Sequence, residues 1–380
     1  MKKIQIGYDA KRANANRTGL GNYSRFIIRA LKESGSGDRL RLYIPKRKAN
    51  TEYDELLTLP GVSSHLPDRP WWRALSALWR TFFIAPQLKR EGVELFHGLS
   101  NELPTGLRER GIRSIVTIHD LIFEVLPACY KPADRLIYRQ KFRSACRRAD
   151  RVVAVSECTK RDIVRLYGID PQKIEVIYQG CDEMFAKEYS PEEIRAVAQR
   201  YDLPARYLLN VGTLEERKNL LEIVQALKHL PEEIHLVAVG KHTAYTSQVE
   251  AYAAAHGLKH RLHLLHKVAY RDLPLIYGGA EVMAYPSRYE GFGIPIIEAL
   301  NMGIPVVAAT GSCLEEAGGP ATLYVSPDSP EELAAAVQRI LNEEGLRERM
   351  AEAGRRYVER FHKEVIAKQM SELYDRVISL

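Results

Sequence analysis

EVMAYPSRYEGFGIPIIEALNMGIPVVAAT, residues 281–310, holds one complete structural unit. EVMAYPS is a short apolar run that ends at a proline and reads as a strand. SRYEGFG carries two glycines and reads as a loop. Pro295 suits the first turn of a helix, where its missing N–H is not needed. IIEALNMG continues that helix to a stop near Gly303, and PVVAAT begins a second strand. Strand, helix, strand in that order predicts a parallel βαβ crossover.

Two acids bracket the turn between the first strand and the helix. Glu290 falls in the loop and Glu298 about one turn inside the helix. Between them, the amides of Phe292, Gly293 and Ile294 are the unpaired donors of a helix N-terminus. Carboxylates accept from hydroxyls, and amides donate to oxygens. Together they make a polar cup that suits a sugar nucleotide, which offers both. Two unrelated surface acids would be the plainer reading, but the glycine loop and the proline start between them weigh against it.

The same alternation extends in both directions. Strands are expected at KIQIGYD (3–9), LRLYIP (40–45), ELFHG (94–98), SIVTIHD (114–120), RVVAVS (151–156) and KIEVIY (173–178). Helical patterns such as YSRFIIRALKE (23–33) and CTKRDIVRLYG (158–168) lie between them. CDEMFAKEYSPEE is polar, without a strand, and reads as a linker. The pattern restarts with YLLNVG (207–212), HLVAVG (235–240) and LHLLHKV (262–268), and it ends at TLYVSP (322–327). The expected architecture is therefore α/β: two Rossmann-like, doubly wound domains at 1–183 and 184–360, facing a central cleft. A last helix, 361–380, is expected to pack back on the first domain.

With 380 residues, the chain is long enough for two cores. Its five cysteines are scattered and form no C-x-x-C, which disfavours a disulfide framework or a zinc site and fits a reducing cytosol. No apolar run approaches membrane-spanning length, and the N-terminal apolar stretch is too short for a signal peptide. The expected location is cytoplasmic. Charge is uneven: residues 1–183 hold 33 Lys and Arg against 21 Asp and Glu, within a whole-chain net charge of +7. Such a half can face an anionic partner. WWRALSALWRTFFIAPQLKR (71–90) has three tryptophans, four cations and no acid, a composition that suits the inner face of a membrane. The plainer reading of that stretch is an internal crossover helix.

Ligands of doubly wound sheets bind beyond the carboxyl ends of the strands. Most candidate residues fall there. Gly19 and Gly21, after the first strand, let a backbone approach a ligand ahead of a helix beginning near Asn22. The third glycine of a dinucleotide fingerprint is missing, since position 24 is Ser, and this disfavours a nicotinamide enzyme. His119 stands at the carboxyl end of the fourth expected strand, where an imidazole can bond a hydroxyl; a satisfied core histidine is the plain alternative. In GTLEERKNL (212–220), Arg217 and Lys218 precede a helix, and a fork plus a point charge suits a diphosphate.

E-x(7)-E after a proline-ended strand, with GFG following the first Glu, resembles the signature of glycosyltransferase family four, retaining enzymes of the GT-B fold. TGLGNYSRFIIRAL, RADRVVAVSECTKRDIVRLYGIDPQKIEVIYQGCD, VGTLEERKNL and LVAVGK extend the resemblance over nearly the whole chain. TIHDL and GTLEERKNL look most like bacterial mannosyltransferases of surface polysaccharide assembly. The resemblance implies a nucleotide-sugar donor, GDP- or UDP-linked and best matched by GDP-mannose, and a saccharide or polyprenyl-linked acceptor. No nucleic acid, resident cofactor or metal is implied. Glu290 would lie against the donor sugar with Phe292, Gly293 and Ile294, and Glu298 would bond the ribose. Arg217 and Lys218 would hold the diphosphate, Gly240 and Val268 would flank the nucleoside, and Gly19 and Gly21 would close over the phosphates. His119 would face the sugar. Thr213 stands where the family often has Arg, which leaves the phosphate charge to Arg217 and Lys218.

Overall fold

A computed structural model describes residues 4–16, 18–35 and 38–380. Lys3, counted into the first strand above, lies outside the described residues. The chain divides into two compact units. One comprises Met1–Gly180 with Phe361–Leu380, and the other Cys181–Arg360.

The first unit contains β1 (Gln5–Asp9), β2 (Arg39–Tyr43), β3 (Val62–His65), β4 (Leu95–Gly98), β5 (Arg113–Ile118), β6 (Arg151–Ala154) and β7 (Ile174–Val176). They form one sheet in the order β3-β2-β1-β4-β5-β6-β7, paired in parallel throughout. β3 has no counterpart in the sequence reading. Its VSSH is short and polar, as suits the sheet's edge, and gives no apolar run to detect. The helix Gly19–Glu33 begins three residues earlier than expected, so both glycines sit in its first turn rather than in a loop. Residues 70–90 do not make one crossover helix. They break into turns at Pro70–Arg73, Ser76–Leu78 and Trp79–Phe83 before the helix Ile84–Arg90.

The C-terminal helix Lys363–Ile378 completes this unit. Tyr374 points into the core, where its hydroxyl lies 3.1 Å from that of Tyr8 and 2.7 Å from His97 Nδ1. Buried hydroxyl and imidazole groups need such partners, so this chain of bonds fixes where the helix lies.

The second unit contains β8 (Tyr207–Val211), β9 (His235–Val239), β10 (Leu262–Leu265), β11 (Val282–Tyr285), β12 (Val306–Ala309) and β13 (Leu323–Val325). Their order is β10-β9-β8-β11-β12-β13, again parallel. β8, β11 and β12 are buried at every position, as strands covered on both faces must be. In both units the strand order reverses beside the first strand of the sheet. At that point neighbouring loops run to opposite faces and leave a crevice at the strands' carboxyl ends.

Candidate active site

In the second unit the reversal lies between β8 and β11. The loop after β8 carries Arg217 and Lys218 in a single turn, Glu216–Lys218, and the left-handed Asn219 then starts the helix Leu220–Ala226. The loop after β11 carries Glu290. The two loops meet: Arg217 Nη1 is 2.8 Å and Lys218 Nζ 2.5 Å from the same oxygen, Glu290 Oε1. Arg217 also donates to Tyr289 O at 2.9 Å, and the Arg288 amide donates to Arg217 O at 3.0 Å, so backbone clamps one loop to the other.

Tyr285, the last residue of β11, completes the cluster. Its hydroxyl accepts from Lys218 Nζ at 2.5 Å and donates to Glu290 Oε1 at 3.2 Å. All three charged side chains are close to nine-tenths buried. Burial alone would push the Glu290 carboxyl up, but the Lys218 and Arg217 charges outweigh it and hold it at about 2. Burial draws Lys218 down against the pull of Glu290. Two of the three ammonium protons are engaged, and the guanidinium reaches Glu290, Tyr289 and Glu215. Two cations face one buried carboxylate, with the half-exposed Glu215 beside Arg217, and such a pair at the strands' carboxyl ends has the chemistry to accept an anion.

Glu298 is buried on the helix Ile294–Asn301, in surroundings of a different kind. Tyr277 donates to its Oε2 at 2.8 Å, and no cation pairs with it among the described residues. Burial, with Asp182 nearby, pushes its carboxyl up to about 7. One acid is thus held ionised by paired cations while burial shifts the other toward its protonated form, and environment alone separates them.

Gly293 joins the two acids. Its φ of +127° is open to glycine, and a Cβ there would lie 3.2 Å from both Ala317 and Leu314. Phe292 is buried, its carbonyl accepting from Cys313 Sγ at 2.8 Å, and Ile294 opens the helix. The Ile296 amide is already taken by Gly293 O at 2.9 Å. Gly240 and Gly212 pass so close that a Cβ on Gly240 would lie 1.8 Å from Gly212 O. The fold alone therefore demands glycine at 240. Thr213 is half-buried in the loop after β8, its carbonyl accepting from the Glu215 amide at 2.9 Å. Val268 is half-buried in the loop after β10.

The remaining candidates belong to the first unit. His119 follows β5 and is buried. Its Nε2–H donates to Leu99 O at 2.8 Å, its Nδ1 accepts from Gln179 at 3.3 Å, and Tyr23 meets its ring edge-on at 4.6 Å. Burial lowers it to about 4. It is a neutral, fully bonded imidazole, the plain alternative of the two. A Cβ on Gly21 would lie 1.9 Å from Asn16 O, whereas one on Gly19 would meet nothing within 4 Å. The packing of residues 11–16 against the helix thus explains Gly21 but not Gly19.

Sequence reading missed Tyr285 and Tyr277. Tyr285 had a signal, as the last strand residue before the loop; Tyr277 had none. It also missed Asp9 and Glu102, at the carboxyl side of β1 and β4, which share Arg80 at 2.5 and 3.0 Å.

A family model described as Glycosyltransferase Family 4 matches residues 17–184, and one described as Glycosyl transferases group 1 matches residues 192–357. The O-antigen chain mannosyltransferase B of Escherichia coli is 30% identical over 260 residues, 67% of each chain. The chain belongs to glycosyltransferase family four. A second family member, the O-antigen chain mannosyltransferase RfbU of Salmonella typhimurium, is 26% identical over 330 residues, 85% of this chain and 87% of that protein. Both sheets match the GT-B fold. Anabaena HepE solved with UDP-glucose superposes with a TM-score of 0.77 at 18% identity, over 98% of this chain and all of that one. A sucrose-phosphate synthase from Thermosynechococcus elongatus gives 0.78 at 21%, over 99% of this chain and 100% of that one. This family member is a glycosyltransferase.

Proposed function

We propose that the enzyme transfers mannose from GDP-mannose to a saccharide of a growing surface polysaccharide, carried on a lipid, with retention at the anomeric carbon. The observation that carries the reading is the convergence of Arg217 and Lys218 on Glu290 at the strand-order reversal of the second unit. The mannosyl and polysaccharide parts draw their support from the two O-antigen relatives.

In this reading the diphosphate lies against Arg217 and Lys218. The bond from the anomeric carbon to the phosphate oxygen breaks, and its electron pair goes to that oxygen. The two cations neutralise the growing charge, a contribution made mainly in the transition state. The acceptor hydroxyl bonds to the anomeric carbon on the same face and passes its proton to the leaving phosphate. Glu290, kept ionised by the same cations, faces the positive character that develops on the sugar. Glu298 accepts from the ribose hydroxyls. No step requires a metal.

A UDP-sugar is the second reading, favoured by the UDP and UDP-glucose bound to HepE. A thermal-shift screen of nucleotide sugars separates the two. A ligand of the folded state at a hundredfold excess over its dissociation constant stabilises by about 2.7 kcal/mol. GDP-mannose is expected to stabilise most. A larger effect of a UDP-sugar would transfer the reading to that donor, and no effect of any donor would overturn it.

A further inference from the structure

Residues 71–83 turn most of their large apolar side chains outward. Trp79 is fully buried, but Trp71, Leu75, Leu78, Phe82 and Phe83 are all at least 45% exposed. In the helix Pro132–Arg148, which the sequence reading did not single out, Leu136, Ile137 and Tyr138 do the same, and Leu136 is 66% exposed. These two segments hold eight of the twelve exposed large hydrophobics among the described residues. Scattered exposed apolar residues are ordinary in any protein; a concentration of them in one region is not.

The two segments are neighbours. Arg80, two residues from Phe82, and Lys141, one helical turn from Ile137, bind opposite oxygens of the same carboxylate, Glu102, at 3.0 and 3.3 Å. Thr105, three residues beyond Glu102, donates its amide to Thr81 O at 2.8 Å, and Arg148 donates to Leu103 O at 2.8 Å. Beneath them lies one core that includes Trp79 and Phe123, with Trp72 and Phe142 packed against it. Trp72 stacks on Phe83 at 4.5 Å, and Tyr138 and Phe142 both pack on Phe123. The outward residues therefore stand on a fixed base.

The rim is cationic. Arg69, Arg73, Lys131 and Arg143 are exposed and pair with no carboxylate among the described residues. The nearby acids Glu102 and Glu124 are occupied by Arg80, Lys141 and Arg139, leaving Asp134 as the one acid within residues 69–83 and 131–143. Apolar and aromatic side chains ringed by unpaired Arg and Lys match the layered chemistry of an anionic bilayer. There, apolar groups sink below the headgroups while cations stay among the phosphates.

We propose that residues 71–83 and 136–138 form one surface that docks the first unit on an anionic lipid bilayer. It needs neither donor nor acceptor, so it stands or falls separately from the transfer reaction.

The test is co-sedimentation of the full chain with vesicles of phosphatidylcholine, alone or mixed with phosphatidylglycerol, together with tryptophan fluorescence. Binding to the mixed vesicles at low salt is expected, with a blue shift of emission that Trp71→Phe diminishes. Arg73→Glu and Lys131→Glu should each weaken binding by at least fivefold, the effect of about one surface cation. The double change Leu136→Glu with Ile137→Glu should abolish it. All five positions are exposed and belong to the first unit, whereas Arg217, Lys218 and Glu290 belong to the second, so donor-induced thermal shifts should be unchanged. Equal binding to both vesicle types, or binding indifferent to these changes, would overturn the proposal. So would a dimer in sedimentation velocity that the same changes dissociate, without vesicle binding, since the surface would then join two copies of the chain.

Discussion

Replacing Glu298 by Gln should stabilise the second unit at alkaline pH while damaging donor binding. The carboxyl sits at about 7 in the folded chain against 4.5 for the free group, chiefly because it is buried. The folded state then binds more protons than the unfolded state between those values, so stability falls as pH rises through that window. The stabilising contribution is full below about pH 4.5 and gone above about pH 7. Each pKa unit is worth 1.36 kcal/mol, so forming the carboxylate at pH 8 costs up to about 3 kcal/mol. Gln keeps an acceptor for the Tyr277 hydroxyl, 2.8 Å away, but adds buried N–H groups, which costs back about 1–2 kcal/mol. The expected net gain at pH 8 is about 1–2 kcal/mol, shrinking to nothing or reversing near pH 4.5. Urea unfolding of both proteins across that range reads it. In the same variant, loss of a charged acceptor for the ribose hydroxyls removes about 1.5–3 kcal/mol, a ten- to hundredfold rise in KM for donor with a smaller change in kcat. A stability difference that does not vary with pH would refute the electrostatic account of Glu298. Unchanged donor binding would refute its contact with the ribose.

Glu290→Gln should behave in the opposite way, lowering kcat strongly while donor still binds, because a carboxylate beside the reacting carbon acts mainly in the transition state; a defect confined to KM in steady-state kinetics would make it a binding clamp only. Activity should persist in EDTA, with Arg217 and Lys218 serving the diphosphate; complete loss restored by magnesium or manganese would displace that role. Gly19→Ala should fold normally, whereas Gly21→Ala, whose methyl would lie 1.9 Å from Asn16 O, should destabilise the first unit by more than 2 kcal/mol in denaturant unfolding. Equal effects of the two would contradict the packing described for that helix. Should Gly19→Ala slow turnover without loss of stability, the open space above Gly19 is where donor or acceptor passes.

Every strand but one and the helix start at Pro295 are legible in the sequence because each is a local property. A βαβ unit writes itself into apolar runs of fixed length, and glycine and proline mark the turns. The carboxyl ends of strands follow from that reading, which is why Arg217, Lys218, Glu290 and Glu298 were all candidates. VSSH at β3 was lost because an edge strand buries too little to need an apolar run. The start of the helix at Gly19 was lost because helix propensity argues against glycine, while packing at Gly21 requires it.

What the sequence by itself determined is the alternation, hence two doubly wound units, and which residue types stand at the strand ends. Tertiary structure alone decided which of them meet. Strand order, which is not written in any local pattern, puts β8 beside β11 and so brings Arg217 and Lys218 onto Glu290 with Tyr285 between. The Lys218 and Arg217 charges then hold one acid of this nine-residue stretch down at about 2, while burial sends the other up to about 7. In the same way Glu102 ties residues 71–83 to the helix that carries Leu136, a segment with no signal of its own in the sequence, and joins the two into one surface. Charge and hydrophobicity belong to residues and can be read in order along the chain. Pairing and desolvation depend on distances through space, and only the folded chain sets those.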